Sequence, residues 1–161
     1  MATQDIDSRG PPKRVLFVCC HNSERSQMAE AALNAKYGGR FEAYSAGTEP
    51  AGQLDERAVR VMHEIGLDIS RNQVKSVDDF IRNRATFDYV ITTCPESKRS
   101  CPYFPAPEQV HAAFDDPQPT YGTEEEKIAR MRRVRDQVLE WVDRFFGPRA
   151  SLLDIEQQQV R

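Results

Sequence analysis

The chain has 161 residues, 29 % of them charged, and a formal net charge of −3. That is one domain's length, enough to bury a core without disulfide staples, and it offers no strongly basic surface, so nucleic acid is excluded as an expected partner. No apolar run approaches the roughly 18 residues of a membrane span, and the opening MATQDIDSRGPPK lacks the apolar centre of a signal peptide.

These features predict a cytoplasmic protein with no membrane association. Its cysteines, Cys19, Cys20, Cys94 and Cys101, would then lie in a reducing compartment, where thiols point to chemistry or metal more than to static cross-links. Residues 1–13 read as a disordered leader, 14–147 as a single catalytic domain and 148–161 as a polar C-terminal tail.

RVLFVC, Arg14 to Cys19, is a β-branched apolar run, as expected of a buried parallel strand. Ser26 to Tyr37 is rich in Ala, Met, Glu and Leu and predicts a helix stopped by Gly38-Gly39. FEAYSAG, Phe41 to Gly47, reads as a second strand. Leu54 to Gly66 is an amphipathic helix with Ala58, Val61, Met62 and Ile65 on its buried face. Val77 to Asn83 is a short helix, Phe87 to Cys94 a third strand, and Val110 to Phe114 a brief fourth. Thr123 to Phe146 is the clearest helix, opened by a Thr123–Glu126 capping box and ended by Gly147-Pro148. Strands alternating with helices predict an α/β fold, a parallel sheet covered on both faces.

The chemistry concentrates in FVCCHNSERSQMAE, Phe17 to Glu30. A strand that passes through a tight loop into a helix aims backbone N–H groups at one point, where the helix N-terminus adds positive potential. The loop Cys20, His21, Asn22, Ser23, Glu24, Arg25 and Ser26 is thus a candidate oxyanion cradle. Arg25 can present a planar fork to two anion oxygens. The same field would depress the pKa of Cys19 and make it a nucleophile. Asn22 and Ser23 can brace the loop, and Ser26 can cap the helix or donate to Cys19. The carboxylate of Glu24 opposes anion binding unless it points outward; His21 could partly offset it. Cys20 should face away from the cradle, as a spectator or in an off-pathway disulfide.

CPESKRSC, Cys94 to Cys101, is a polar stretch after a strand end, bounded by prolines, a poor place for two core cysteines. A disulfide requires Cα atoms roughly 4.4–6.8 Å apart, whereas seven helical residues rise about 10.5 Å. A bond between these two thiols therefore needs a looped or unwound segment. AFDDPQP supplies Asp115 and Asp116 as proton donors, with Pro117 stiffening the loop; adjacent aspartates also serve to cap turns. The histidines His21, His63 and His111 show no zinc spacing, and no cofactor is expected.

VLFVCCHNSERSQMAEA resembles the active-site loop shared by low-molecular-weight protein tyrosine phosphatases and the arsenate reductases of the same fold, with RSQMAE closer to the reductases. The likeness continues at AYSAGT, IGLDIS, CPYFP and FDDP. It implies a three-layer α/β sandwich with a four-stranded parallel sheet flanked by helices. It also implies an order of events. Cys19 attacks arsenate, Cys94 attacks Cys19 and releases arsenite, and Cys101 attacks Cys94. Thioredoxin then reduces the Cys94–Cys101 disulfide. The aspartate before proline, Asp116, becomes the acid. In some reductases the positions of Asn22, Glu30 and Ser45 surround a monovalent cation. A monomer is the default for this resemblance, with residual phosphatase activity. Three alternatives stay open: a phosphatase using only Cys19, Arg25 and Asp116; a reductase served by glutathione or mycothiol; and a sensor that traps arsenite without turnover.

Overall fold

Apolar, β-branched residues gather in the first strand, and that strand lies at the centre. In the computed structural model, which describes residues 10–95, 104, 106–117 and 121–159, β1 is Lys13–Cys19 and is buried from Val15 onward. In chain order there follow α1 (Arg25–Tyr37), β2 (Phe41–Gly47), α2 (Glu56–His63), α3 (Val77–Arg82), β3 (Tyr89–Thr92), β4 (Glu108–His111) and α4 (Glu124–Gln159). The strands form one four-stranded sheet, order β2-β1-β3-β4, with every neighbouring pair parallel.

Alternation along β1 divides the core in two. Val15 and Phe17 face a large cluster with Met28 and Leu33 of α1, Val61 and Met62 of α2, and Val138, Val142 and Phe146 of α4. Leu16 and Val18 face a smaller cluster with Val77, Phe87, Val90 and Phe104. Helices thus cover both faces, and the three-layer sandwich is the one that alternating strands and helices imply. Among the described residues, no helix is long and apolar enough to cross a membrane.

Three element boundaries depart from the sequence reading, each for a local reason. The fourth strand begins at Glu108, two residues earlier than the apolar run suggested. It is the edge strand, so polar Glu108 and Gln109 can join the ladder while Ala112 and Phe114 pack beyond it. Ile65, assigned to the buried face of α2, is 39 % exposed. The helix ends at His63, and Gly66, at φ 81°, turns the chain so that Leu67 N–H returns to Met62 O.

The third departure is larger. The last helix does not stop at Gly147-Pro148 but runs on to Gln159, so residues 148–159 are helix rather than a polar tail. Pro148 removes one N–H from the ladder. Tertiary contacts compensate. Ala150 is buried and Leu153 packs against the large cluster. Arg149 donates to Phe145 O at 2.9 Å with its guanidinium 3.7 Å from the Phe145 ring centroid. Arg40 bonds Asp154 at 2.9 Å. Packing, not propensity, decides such a segment.

Phe146 lies at the aromatic centre, edge-on to Phe17, Phe41 and Tyr89. Phe146→Ala should cost about 3–5 kcal/mol, read from the urea midpoint; a loss well under 1 kcal/mol would contradict this packing. α2 is clipped to α4 where Arg132 and Arg135 bond Glu64 at 2.7 and 3.0 Å. Arg132 foremost holds the Glu64 carboxyl at about 2, below its ordinary 4.5. A depressed acid stabilises above its unfolded pKa and loses that contribution as pH falls toward the folded one. The stability gap between wild type and Glu64→Gln should therefore be full at pH 6 and shrink between about pH 4.5 and 2. A gap constant with pH would show the clip to be inert.

Candidate active site

The residues between β1 and α1 follow a path fixed by their own carbonyl groups. Thr48 N–H donates to Cys19 O (3.1 Å), Glu49 N–H to Cys20 O (2.8 Å), Ala51 N–H to His21 O (3.0 Å) and Asp55 N–H to Ser23 O (3.1 Å). In a trans peptide the N–H points opposite to the C=O. Pinning the carbonyls outward therefore turns the following N–H groups inward, toward the sulfur. The His21–Asn22 peptide illustrates this: its carbonyl meets Ala51, and its N–H reaches Cys19 Sγ at 3.0 Å. Gly47 permits the close approach, since a Cβ there would lie 2.7 Å from Cys20 O and 3.0 Å from Asn22 N.

Asn22 is the keystone side chain. Its φ of 53° lies in the left-handed region that asparagine tolerates. Its Oδ1 accepts from Gln27 Nε2 (3.0 Å) and from Lys75 N–H (2.8 Å), and its Nδ2 donates to Ser26 Oγ (2.8 Å). Ser26 Oγ also lies 2.9 Å from Cys19 Sγ, placed so that its hydroxyl can donate to a thiolate there. Of the two roles expected for Ser26, this is the one it takes: α1 has no side-chain N-cap bond, and Glu24 is its N-cap residue. Gln27 extends the network to Gln73 O (2.9 Å) and Asn72 Nδ2 (3.2 Å). All of Asn22, Ser26 and Gln27 are fully buried.

Arg25 is only 6 % exposed, and its Nε has no hydrogen-bond partner. A buried guanidinium N–H left unsatisfied is costly, and an oxyanion in the cradle would satisfy it.

Cys19 is 2 % exposed. The expected depression of its pKa is not found. Burial pushes the thiol up, and that outweighs the downward pull of the Ser26 bonds, the Asn22 N–H and the Arg25 charge. Desolvation disfavours a thiolate until something else enters the site.

The other sequence candidates fall as follows. Cys94 is 0 % exposed, two residues past β3, where Thr93 N–H and Thr93 Oγ1 both bond Val18 O at 2.8 and 3.0 Å. Cys101 lies outside the described residues. Cys20 is half-buried, its Sγ 3.9 Å from Glu49 Oε2. His21 is exposed, its Nδ1 3.0 Å from Glu49 O, at the rim of a cavity of about 730 Å³ also lined by Asp55, Arg57 and Glu124. Glu24 is buried rather than turned to solvent. Asp115 and Asp116 are both exposed, and Asp115 bonds Gln137 twice, at 3.1 and 2.8 Å.

Glu30 accepts from Ser45 Oγ at 3.3 Å, and burial pushes its carboxyl up. Together with Asn22 these residues fit a monovalent cation poorly, because both acceptor positions of Asn22 Oδ1 are already filled by N–H donors. Gln27, Asn72, Lys75 and Thr93 carried no sequence signal for their roles, which depend on backbone groups distant in the chain.

Removing the Ser26 donor should raise the Cys19 pKa further, since that bond favours the thiolate. The midpoint of Cys19 alkylation by iodoacetamide should therefore move to higher pH in Ser26→Ala; a downward or null shift would contradict the bond's direction.

A model of the low molecular weight phosphotyrosine protein phosphatase family matches residues 14–158. An arsenate reductase of Bacillus licheniformis is 42 % identical over 134 residues, 83 % of this chain and 94 % of the relative. A solved arsenate reductase in the oxidised state superposes with a TM-score of 0.71 at 28 % identity, covering 84 % of this chain and 98 % of that one. A thioredoxin-dependent arsenate reductase of Corynebacterium glutamicum gives a TM-score of 0.58 at 27 % identity, covering 83 % of this chain and 63 % of that one.

Proposed function

The chain belongs to the low-molecular-weight phosphotyrosine protein phosphatase family, and on that premise we propose that it reduces arsenate to arsenite by a relay through Cys19, Cys94 and Cys101, recharged by thioredoxin. The observation that carries the reading is a buried thiol and an unsatisfied buried arginine Nε sharing one strand-to-helix loop, with a second buried thiol at the end of the neighbouring strand. The 42 % identity to an arsenate reductase and the thioredoxin-dependent structural relative support the substrate and the reductant.

Arsenate seats among the inward N–H groups, and Arg25 bonds its oxygens. Burial favours the neutral Cys19 thiol, so a basic oxygen of the arriving anion takes its proton as the sulfur attacks arsenic. Asp116 protonates the departing oxygen, which leaves as water. Asp115, the neighbouring carboxylate, is the second choice. Cys94 then attacks Cys19 Sγ. The sulfur–arsenic pair stays on arsenic, which leaves as arsenite, and a Cys19–Cys94 disulfide forms. Cys101 attacks Cys94 and restores Cys19. Two thiols are oxidised for each arsenic reduced. Every described residue of the scheme comes from one chain, and a monomer suffices. The cradle also takes phosphate, so weak phosphatase activity should accompany the reductase.

Fully reduced protein freed of small thiols and given excess arsenate should release one arsenite per chain and lose two thiols, mapped to Cys94 and Cys101. No arsenite without an added thiol would overturn the relay. Cys94→Ser should release none while still hydrolysing an aryl phosphate; unchanged arsenite release would contradict its role. Asp116→Asn should slow the single turnover by about 10²–10⁴-fold, and a rate within twofold of wild type would remove it as the acid.

A further inference from the structure

A Cys19–Cys94 disulfide joins residues that are 2 % and 0 % exposed. Neither sulfur is open to a thiol arriving from solution, and exchange requires access to a sulfur. Cys20 is half-buried, with one side toward solvent. Its position follows from the sheet. β1 and β3 pair Val18 with Thr92, and the Thr93 N–H bond to Val18 O extends the ladder one step past β3. Cys20 and Cys94 each lie two residues past the Val18–Thr92 pair, where the chain bends out of its strand.

The last paired residues, Val18 and Thr92, belong to neighbouring strands about 4.8 Å apart, and with each cysteine only two residues beyond, the roughly 4.4–6.8 Å Cα window of a disulfide is within reach. Burial foremost pushes the Cys20 thiol up, and Cys94 adds to this more than the adjacent Cys19 does.

We propose that Cys20 is a second resolving thiol, one that attacks Cys94 in the Cys19–Cys94 disulfide and moves the bond to the surface. This rests on the arsenate reading above. The Cys20 sulfur forms a bond to Cys94 Sγ, the Cys94–Cys19 bond breaks, and the electron pair and the Cys20 proton go to Cys19. No net oxidation occurs in this exchange. The overall turnover again oxidises two thiols, now Cys20 and Cys94, for one arsenate reduced to arsenite and water. Cys19 is regenerated, and a half-buried sulfur becomes available to an external dithiol.

The test uses the full chain with Cys101→Ser. After one arsenate turnover without small thiols, free thiols are alkylated and peptides mapped by mass. A Cys20–Cys94 peptide with alkylated Cys19 is expected. A stalled Cys19–Cys94 disulfide with alkylated Cys20 would overturn the inference and leave the arsenate reading intact. A second arm needs no arsenate. Cys19→Ser/Cys101→Ser protein, which keeps only Cys20 and Cys94, is treated with one equivalent of hydrogen peroxide, two thiols giving one disulfide and two waters. Loss of both thiols to a linked peptide supports the pairing, and two thiols still unlinked overturn it. Absence of arsenite from wild type with intact pairing in the peroxide arm would bring down the arsenate reading, and with it the resolving role, while leaving the thiol geometry.

Discussion

The site depends on four carbonyl groups turned outward. Cys19, Cys20, His21 and Ser23 each give their oxygen to an N–H of the segment from Thr48 to Asp55, and that fixes where the intervening N–H groups must point. Gly47 lets the segment lie against the loop, and the parallel register pairing Cys19 with Gly47 brings the two together. The central strand, its neighbour β2 and the cradle are therefore a single construction, in which the fold supplies the preorganisation that an oxyanion site requires.

Within that frame, two opposing effects act on Cys19. Burial favours the thiol, while Ser26, Asn22 and Arg25 favour the thiolate. Burial prevails. On the function proposed above, an arriving anion would change the balance by accepting the proton and by satisfying the buried Arg25 Nε, so that the thiol is activated as its target binds. Asn22 links the parts: one side chain bonds Ser26, Gln27 and the backbone of Lys75, tying the loop to the first turn of α1 and to the stretch before α3.

Much of this was legible in the sequence. The apolar run from Val15 to Cys19 and the helix-forming run after Arg25 sufficed to place a strand, a loop and a helix, because each depends on residues close in the chain. The Cys19 pKa was misjudged, because local donors are visible in sequence and the burial imposed by packed elements is not. The network of Gln27, Asn72 and Lys75 was hidden for the same reason: its bonds span 45 residues or more for Asn72–Gln27 and 53 for Lys75–Asn22. Pro148 read as a helix stop and lies inside α4, since contacts such as Arg40 with Asp154 come from the far side of the fold.

The central claim, that the loop around Cys19 is a preformed oxyanion cradle, is tested most directly by titrating ¹⁵N-labelled Cys19→Ser protein, which cannot turn over, with arsenate. The account predicts the largest shifts at the backbone N–H groups of residues 20–26 and at the Arg25 Nε–H, saturating together at one site. Shifts confined to other parts of the chain, or an unmoved Arg25 Nε–H at saturation, would contradict it.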